Sequence, residues 1–291
     1  MELQRARLST GAGGKRRGNR EVAGFDCSVR KRAGLVCLQC APDLRVQIEA
    51  TRALHPREGL RPSPISGVVV SGGDVDAVAG LLHLRERHHF SVYAPARVLA
   101  VIAANPIFGV LARDCVRRIE LPLEQRVELG GASGASGLAV VAFTVPAKVP
   151  LYLEAADQAP VLSEDGDAVG LEVIDTETAR SFFFIPGCAA MTDRLRCRLA
   201  GSALAFFDGT LWQGDEMIRL GVGSKTGRRM GHMSMSGDDG AIAAFRDLGV
   251  WRRIFIHINN SNPVLLEESQ ERRLAEAAGW EIAYDGMEVR L

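Results

Sequence analysis

Three short apolar segments of this chain each end in polar residues whose side chains can bind a metal. In α/β proteins, the carboxyl ends of buried strands face the crevice in which ligands bind. Two carboxylates and one imidazole that converge there can hold a divalent metal through oxygen and nitrogen. The alternative is structural, because Asp before Gly forms turns and Asp at a helix start caps the helix. The first segment, 67–71, is followed by Asp74 and Asp76, and the second, 203–207, is followed by Asp208. The third segment, 253–258, carries His257 near its end.

Strand and helix patterns alternate along the chain. Apolar runs predict strands at 67–71, 91–94, 138–145, 171–174, 181–185, 203–207 and 253–258, and two short strands around the turn at 284–286. Apolar residues at helical spacing predict helices at 43–54, 76–85, 96–104, 239–247 and 265–278. Segments 171–174 and 181–185 are expected to pair. Because strands come in groups with helices between them, we predict an α/β sandwich of two sheets.

Charge and composition exclude several classes of protein. Lys plus Arg and Asp plus Glu both number 35, so the balance does not favour nucleic acid or an anionic membrane as a partner. We find no apolar run of the roughly 18 residues that a membrane span needs, and no apolar core of a signal peptide. The six cysteines do not make a disulfide scaffold. We expect reduced thiols and a cytoplasmic protein.

The first 33 residues differ from the rest in composition. Nine basic residues and several glycines stand here, with few large apolar side chains. This composition is typical of a solvated tail, and the lack of aromatic residues among the basic ones, apart from Phe25, argues against nucleic-acid binding. We predict a basic, poorly ordered arm over residues 1–33 and one domain over residues 34–291.

Several short motifs are specific enough to be compared with known families. The most specific are Phe207-Asp208-Gly209-Thr210, Met230-Gly231-His232 and His257-Ile258-Asn259-Asn260-Ser261-Asn262-Pro263. Further motifs stand at 41–43, 55–61, 74–76, 79–82, 145–146, 185–188, 221–223 and 225–227. Through these motifs, residues 34–291 resemble the pyrroloquinoline quinone biosynthesis protein B family, which has the metallo-β-lactamase fold. The resemblance implies an αββα sandwich of two mixed sheets flanked by helices.

The chain departs from the family pattern at two places. The family has an Asp-His pair where this chain has Asp76-Ala77, so one imidazole ligand is replaced. On a continuous helix, neither His83 nor His88 would return to the position of the missing ligand. The family also carries a Cys-x-Cys-x-x-Cys cluster for a structural zinc, whereas Cys27 stands alone here. We therefore expect this zinc to be absent and the active-site metal to bind weakly.

Cys37 and Cys40 have the spacing of a zinc knuckle or a redox pair. However, the short apolar run at 35–38 predicts a strand that would carry them, and no second Cys/His pair lies at zinc-finger spacing. Residues three apart on a strand face opposite sides of the sheet. We predict two buried thiols on opposite faces, without zinc.

The resemblance implies a role in making pyrroloquinoline quinone from a peptide precursor that contains Glu and Tyr. One expectation is hydroxylation of the tyrosine ring by non-haem iron, with Fe(II) favoured and Zn(II) possible. The alternative is a carrier that moves the quinone or its precursor without catalysis. Because Ala77 replaces a ligand, whether the chain is an enzyme stays open. Partners would be the precursor and other proteins of the pathway.

The expected site residues follow from the strand ends and the family motifs. The predicted metal ligands are Asp74, Asp76, Asp208 and His257, and the predicted catalytic residues are Asp76, His257 and His232. Arg can grip carboxylates bidentately, which suggests that the basic cluster of Lys225, Arg228 and Arg229 captures the carboxylates of the substrate. The predicted substrate-binding residues are Lys225, Arg228, Arg229, Asn259 and Asn260.

Overall fold

The computed structural model describes residues 2–4, 27–31, 34–56, 63–131, 134–148, 150–153 and 165–291. Within these ranges, no helix combines the length and the apolar character that crossing a membrane requires. The strands are β1 (Glu2–Gln4), β2 (Cys27–Lys31), β3 (Gly34–Leu38), β4 (Ile65–Val69), β5 (Phe90–Ala94), β6 (Val116–Glu120), β7 (Arg126–Gly131), β8 (Gly134–Thr144), β9 (Val169–Asp175), β10 (Ser181–Ile185), β11 (Leu204–Asp208), β12 (Arg252–Ile256), β13 (Trp280–Ile282) and β14 (Val289–Arg290).

The described strands form two seven-stranded sheets. The first has the order β14-β1-β2-β3-β4-β5-β6, and the second has the order β13-β12-β11-β10-β9-β8-β7. Strands β3 to β6 run parallel, whereas β14, β1, β2 and β3 pair antiparallel. In the second sheet, β7 to β10 pair antiparallel and β10 to β13 run parallel. Both sheets are therefore mixed, as predicted.

Helices cover the outer face of each sheet. The α-helices are α1 (Leu44–Ala50), α2 (Val75–Val78), α3 (Ala96–Ala104), α4 (Asp193–Leu199), α5 (Glu216–Arg219), α6 (Ala241–Ala244) and α7 (Gln270–Ala277). Short 3-10 helices span Arg52–Leu54, Ala79–Leu84, Pro106–Val110, Leu151–Leu153, Arg228–Met230 and Pro263–Leu265. The predicted αββα sandwich is confirmed.

Three apolar clusters hold these four layers together. One lies between the sheets and includes Val69, Phe184 and Phe206. The second packs the outer face of the second sheet, including Phe255, against its helices. The third packs the first sheet against α1 to α3 and includes Val68. Burial of these side chains is the main favourable contribution to folding. The polar residues that could bind a ligand therefore lie at the ends of the strands, outside these apolar clusters.

Several predicted elements differ from the observed ones in their bounds. The predicted helix 265–278 is confirmed only from Gln270, because the Ser269 hydroxyl accepts the Arg272 N–H and caps the helix there. The predicted helix 76–85 is α2 followed by a 3-10 helix. The spacing argument for His83 and His88 therefore does not apply, although neither side chain lines the cleft described below. Segments 171–174 and 181–185 pair as predicted.

The two tail strands are present but do not form a hairpin. Strand β13 pairs with β12 in the second sheet, and β14 pairs with β1 in the first sheet. The segment between them therefore crosses from one sheet to the other.

Two stretches of the predicted N-terminal arm extend the first sheet. Glu2–Gln4 pairs with both β14 and Cys27–Lys31. Residues 5–26 and 32–33 lie outside the described residues. The poorly ordered arm as a whole stays a prediction.

The two cysteines do not face opposite sides of a strand. Strand β3 ends at Leu38, and Gln39 then adopts a left-handed backbone with φ 69°. Cys40 is therefore no longer on the strand, and both thiols are buried in the same apolar cluster. Burial is confirmed, whereas the prediction of opposite faces is wrong because it assumed a continuous strand.

Candidate metal centre

Three side chains that can bind a metal meet at one edge of the second sheet. Asp208 is the last residue of β11, and His257 follows β12, the parallel neighbour in which Ile256 pairs with Asp208. His232 reaches the same point from the loop after Arg228–Met230. Among the described residues, these three form a group whose ligand atoms all lie within 4.8 Å of one another. Two imidazoles and one carboxylate are typical of non-haem iron sites and also suit zinc.

Backbone conformation brings both imidazoles to Asp208. His257 adopts a left-handed conformation with φ 55°, which ends the strand and is uncommon outside glycine. Such a residue stores on the order of 1 kcal/mol of strain, which is typical of functional sites. His232 follows Gly231, whose φ of 90° reverses the chain. The two rings lie nearly parallel, with centroids 5.2 Å apart and an interplanar angle of 18°.

The carboxylate of Asp208 is fully buried and receives several hydrogen bonds. The Thr210 N–H and hydroxyl donate to Oδ1 over 3.1 and 2.6 Å. The Cys188 N–H donates to Oδ2 over 3.0 Å, and Nδ1 of His232 lies 2.8 Å from the same oxygen. These contacts hold the carboxylate in one orientation. Burial and the charge of Asp208 raise the pKa of the Cys188 thiol to about 12, so this thiol stays protonated and is not a nucleophile.

Thr210 lies at the centre of this group. Besides Asp208, its Oγ1 lies 3.0 Å from Nδ1 of His232, 2.9 Å from Nδ1 of His257 and 2.9 Å from the His257 carbonyl oxygen. Sequence analysis did not single out this residue. The available signal was its position two residues after Asp208 in the same family motif.

Asp76 connects this group to the first half of the chain. It lies in the first turn of α2, and its Oδ2 is 2.8 Å from Nε2 of His257. Burial alone would raise the pKa of Asp76, but the hydrogen bond and charge of His257, with the charge of His232, lower it to about 2. Burial alone would lower the pKa of His257, but the hydrogen bond and charge of Asp76, with the charges of Asp208 and Asp74, raise it. Asp76 is therefore ionised at neutral pH.

Asp74 and Ala77 flank Asp76 at the same turn. Asp74 precedes α2, and its Oδ1 lies 3.4 Å from Nζ of Lys148, so it faces this lysine instead of joining the three-residue group. Ala77 is almost fully buried and lines the cleft beside Asp76. The structure thus supplies a second imidazole from His232, although Ala77 has none.

A cleft of about 700 Å³ is lined by His232 and His257 of this three-residue group, whereas Asp208 is fully buried behind them. Its walls include small and apolar side chains, among them Val75, Val169 and Ile258. Of the predicted substrate-binding residues, Lys225 and Asn259 line the cleft. The cleft is lined as well by Lys148, Tyr152 and Gln39, which sequence analysis missed because each is placed by contacts distant in the chain.

The other predicted substrate-binding residues do not line this cleft. Arg228 is exposed, and its Nη2 lies 3.1 Å from Oδ2 of Asp239. Arg229 is partly buried and Asn260 is exposed, and neither is among the cleft-lining residues. Their role in binding substrate stays a prediction.

The fold and the cluster define a broad class of protein. The family model described as a beta-lactamase superfamily domain matches residues 36–258. A new diphosphatase from the PhnP family has the same fold, with a TM-score of 0.62 at 15% identity over all of this chain and 97% of that chain. The protein is therefore a member of the beta-lactamase superfamily with its metallo-β-lactamase fold.

Closer relatives narrow this class. Coenzyme PQQ synthesis protein B of Gluconacetobacter diazotrophicus is 53% identical over 253 residues, which are 87% of this chain and 82% of that protein. The protein of the same name from Bradyrhizobium diazoefficiens is 50% identical over 256 residues, covering 87% and 83%. The crystal structure of Zn²⁺-bound PqqB from Methylobacterium extorquens has a TM-score of 0.88 at 40% identity over all of both chains. The chain belongs to the coenzyme PQQ synthesis protein B family, as its motifs predicted.

Proposed function

We propose that this protein acts in the biosynthesis of coenzyme PQQ (pyrroloquinoline quinone) through a divalent metal held by Asp208, His232 and His257. The observation that carries the proposal is the convergence of these ligand atoms within 4.8 Å of one another, with His232 and His257 lining the cleft. The names of the 47–53% identical relatives support the pathway. The Zn²⁺-bound PqqB structure from M. extorquens supports binding of a divalent metal in this family.

Iron(II) is the metal that we propose for catalysis, with zinc as the alternative. Two imidazoles and one carboxylate that leave coordination positions open supply oxidation chemistry with dioxygen in non-haem iron enzymes. The proposed reaction is hydroxylation of the tyrosine ring of a precursor derived from Glu and Tyr. Whether iron or zinc binds is decided by titration of both metals.

The chain's own residues would bind and orient this precursor. The ammonium group of Lys225 and the amide of Asn259 line the cleft and can bind a substrate carboxylate. Val75 and Ile258 line the same cleft and can pack against an aromatic ring. Asp76 orients His257 through the 2.8 Å contact with Nε2. These residues would place the ring beside the metal-binding group and exclude water from it.

Metal titration of the purified full-length protein tests the centre. We expect one metal ion per chain, and a large loss of affinity in His232→Ala and in His257→Ala. His83→Ala is the matched control, because His83 is partly buried outside the cleft and should leave the affinity unchanged. Absence of binding in the parent protein, or equal affinity in all four proteins, would refute the proposed centre.

A turnover experiment separates the enzyme from a carrier. The volume of the cleft and its apolar walls also suit a protein that only holds the quinone or its precursor. The iron-loaded protein is incubated with the precursor and isotopically labelled dioxygen, and the product is examined by mass spectrometry. Incorporation of labelled oxygen supports the enzyme. Metal-independent binding of the quinone without incorporation supports the carrier and rejects the hydroxylase.

A further inference from the structure

Glu216 is a buried carboxylate to which the proposed reaction assigns no role. It is the first residue of α5, and only 4% of its surface is exposed. Its Oε2 accepts the backbone N–H of Trp212 over 2.7 Å and that of Gln213 over 3.3 Å. Its Oε1 accepts the hydroxyl of Ser261 over 2.8 Å. A hydroxyl has a single proton to donate, so Ser261 has none left for another neighbour.

The oxygen of Ser261 can therefore only accept a hydrogen bond from its next neighbour. Nδ2 of Asn259 donates to this oxygen over 2.9 Å. If the amide were reversed, Oδ1 of Asn259 would face the Ser261 oxygen without a proton between them, and two acceptors would repel each other. The second N–H of the amide is directed at Sδ of Met217 over 3.0 Å, and sulfur is a weak acceptor. Glu216 thus fixes the orientation of the Asn259 amide through Ser261.

This orientation leaves Oδ1 as the atom of the Asn259 amide that a ligand can reach. Asn259 lines the cleft, and both of its side-chain N–H groups are engaged. Within the described ranges, no residue donates a hydrogen bond to Oδ1, and this oxygen is not buried. We infer that Glu216 and Ser261 are positioning residues that make the Asn259 oxygen an acceptor for an O–H or N–H donor of the substrate.

The inference narrows the role of Asn259 in the proposed function, on which it rests for the nature of the substrate. Residue type alone lets an asparagine amide bind either a carboxylate, through its N–H groups, or a donor, through its oxygen. Here the N–H groups are engaged, so the carboxylate of the substrate is left to Lys225. The hydroxyl of a tyrosine ring is a donor that the Asn259 oxygen can accept. An acceptor at the same place would be rejected, because it would face a second acceptor.

Glu216→Gln should reverse the amide without changing the size of residue 216. The new side-chain oxygen can keep the contacts with the backbone N–H groups, and the new amide nitrogen then faces Ser261 and donates to it. Ser261 is left to direct its own proton at Oδ1 of Asn259. The amide therefore turns and presents its N–H groups to the cleft. Ser261→Ala removes the connection while keeping Glu216, and Ser261→Thr keeps the hydroxyl.

NMR of the metal-free, full-length protein measures the orientation directly. In protein labelled at Asn side chains and Met methyl groups, a nuclear Overhauser effect joins the Asn259 amide protons to the Met217 methyl group. Asn259→Ala assigns the signal. We expect this effect in the parent and in Ser261→Thr, its loss in Glu216→Gln, and a weaker effect in Ser261→Ala. An effect of the same strength in the parent, Glu216→Gln and Ser261→Ala would overturn the inference.

Binding of two neutral probes to the same metal-free proteins measures the selectivity. Para-cresol has an O–H donor, whereas para-methylacetophenone has only an acceptor. We expect the parent to prefer para-cresol, and the ratio of the two affinities to fall about tenfold in Glu216→Gln and to stay within about twofold in Ser261→Thr. Because both probes are neutral, the charge lost at residue 216 does not itself change the ratio.

A parent protein that does not prefer para-cresol, or a ratio that Glu216→Gln leaves unchanged, would overturn the inference. Failure of the proposed metal centre would show in the metal titration and not here, because neither measurement uses a metal.

Discussion

Gly80 lies where the chain after β3 contacts the helix that carries Asp76. A Cβ built on Gly80 would lie 2.2 Å from the Ala41 carbonyl oxygen and 2.8 Å from the carbon and oxygen of the Cys40 carbonyl. All three atoms belong to backbone, so no flexible side chain can move aside. The Gly80 N–H donates to the Cys40 oxygen over 2.8 Å, and the Cys40 N–H donates to the Ala77 oxygen over 2.9 Å.

Gly80→Ala therefore separates two segments that are joined by hydrogen bonds. Loss of the two bonds costs about 1 kcal/mol each, and forcing atoms into a packed site costs a further 1–3 kcal/mol or so. We expect the free energy of unfolding to fall by roughly 3–5 kcal/mol in equilibrium urea denaturation. Metal affinity should fall as well, because Asp76 moves relative to His257.

Gly109→Ala is the matched control. A Cβ at Gly109 meets no atom within 4 Å, so the change should stay within about 1 kcal/mol of the parent. The reasoning fails if Gly80→Ala unfolds within 1 kcal/mol of the parent protein. It also fails if both variants lose the same stability.

Three further predictions concern the cleft. In the metal-free protein, the stability lost in Asp76→Asn should be greatest between pH 3.8 and 6.5, the ordinary pKa values of the two groups, because there Asp76 is ionised and His257 is protonated. This loss of unfolding free energy should shrink as the pH falls toward 2, where Asp76 protonates, and as the pH rises through the raised pKa of His257. Urea denaturation at several pH values checks the prediction, and a difference between the two proteins that does not vary with pH would contradict it. Ala77→His should bind Fe(II) or Zn(II) about tenfold more tightly than the parent protein in calorimetric titration. His257→Ala should abolish binding both in the parent and in the Ala77→His variant. Equal affinity of the parent and Ala77→His would mean that residue 77 does not face the metal. Lys225→Ala should weaken binding of the anionic precursor about tenfold, because Lys225 lines the cleft. Arg228→Ala should change the affinity less than about twofold, because Arg228 pairs with Asp239 outside the cleft. The opposite order of effects in a binding titration would show that Arg228 contacts the substrate.

The strand ends were predictable because parallel neighbours bring their carboxyl ends to the same edge of a sheet. Asp208 and His257 follow this rule, since β11 and β12 pair in register up to Asp208 and Ile256. The strand itself was predicted to extend past His257, but it ends earlier because His257 turns left-handed. Apolar periodicity contains no signal for a single residue with positive φ.

The place of His232 in the proposed metal-binding group could not be derived from spacing. It depends on the turn at Gly231 and on a hydrogen bond from the His232 N–H to the Gly227 carbonyl over 2.9 Å. The family motif indicated a site role, whereas the residue type alone did not. Similarly, position after a strand does not by itself distinguish Asp74 from Asp76, and only the family motif singled out Asp76. In the structure, Asp74 contacts Lys148, which lies 74 residues away, whereas Asp76 contacts His257.

Strands β6 and β7 were missed for a different reason. Val116–Glu120 and Arg126–Gly131 contain charged residues and are only partly buried. They are edge strands, which pair with β5 and β8 respectively, so neither shows the continuous apolar run of a central strand. Longer, fully buried strands such as Ser181–Ile185 show continuous apolar runs and were predicted correctly.

The contact between Asp76 and His257 joins residues 181 positions apart and links the two sheets. Asp76 follows β4 of the first sheet, whereas His257 follows β12 of the second. A ligand that contacts both residues can bind only when the two sheets are packed against each other. By mass action, such a ligand stabilises the packed sandwich relative to any form in which the sheets have separated. Ligand release and opening of the sandwich at this edge are therefore thermodynamically coupled, and occupancy of the cleft sets how often the two halves separate.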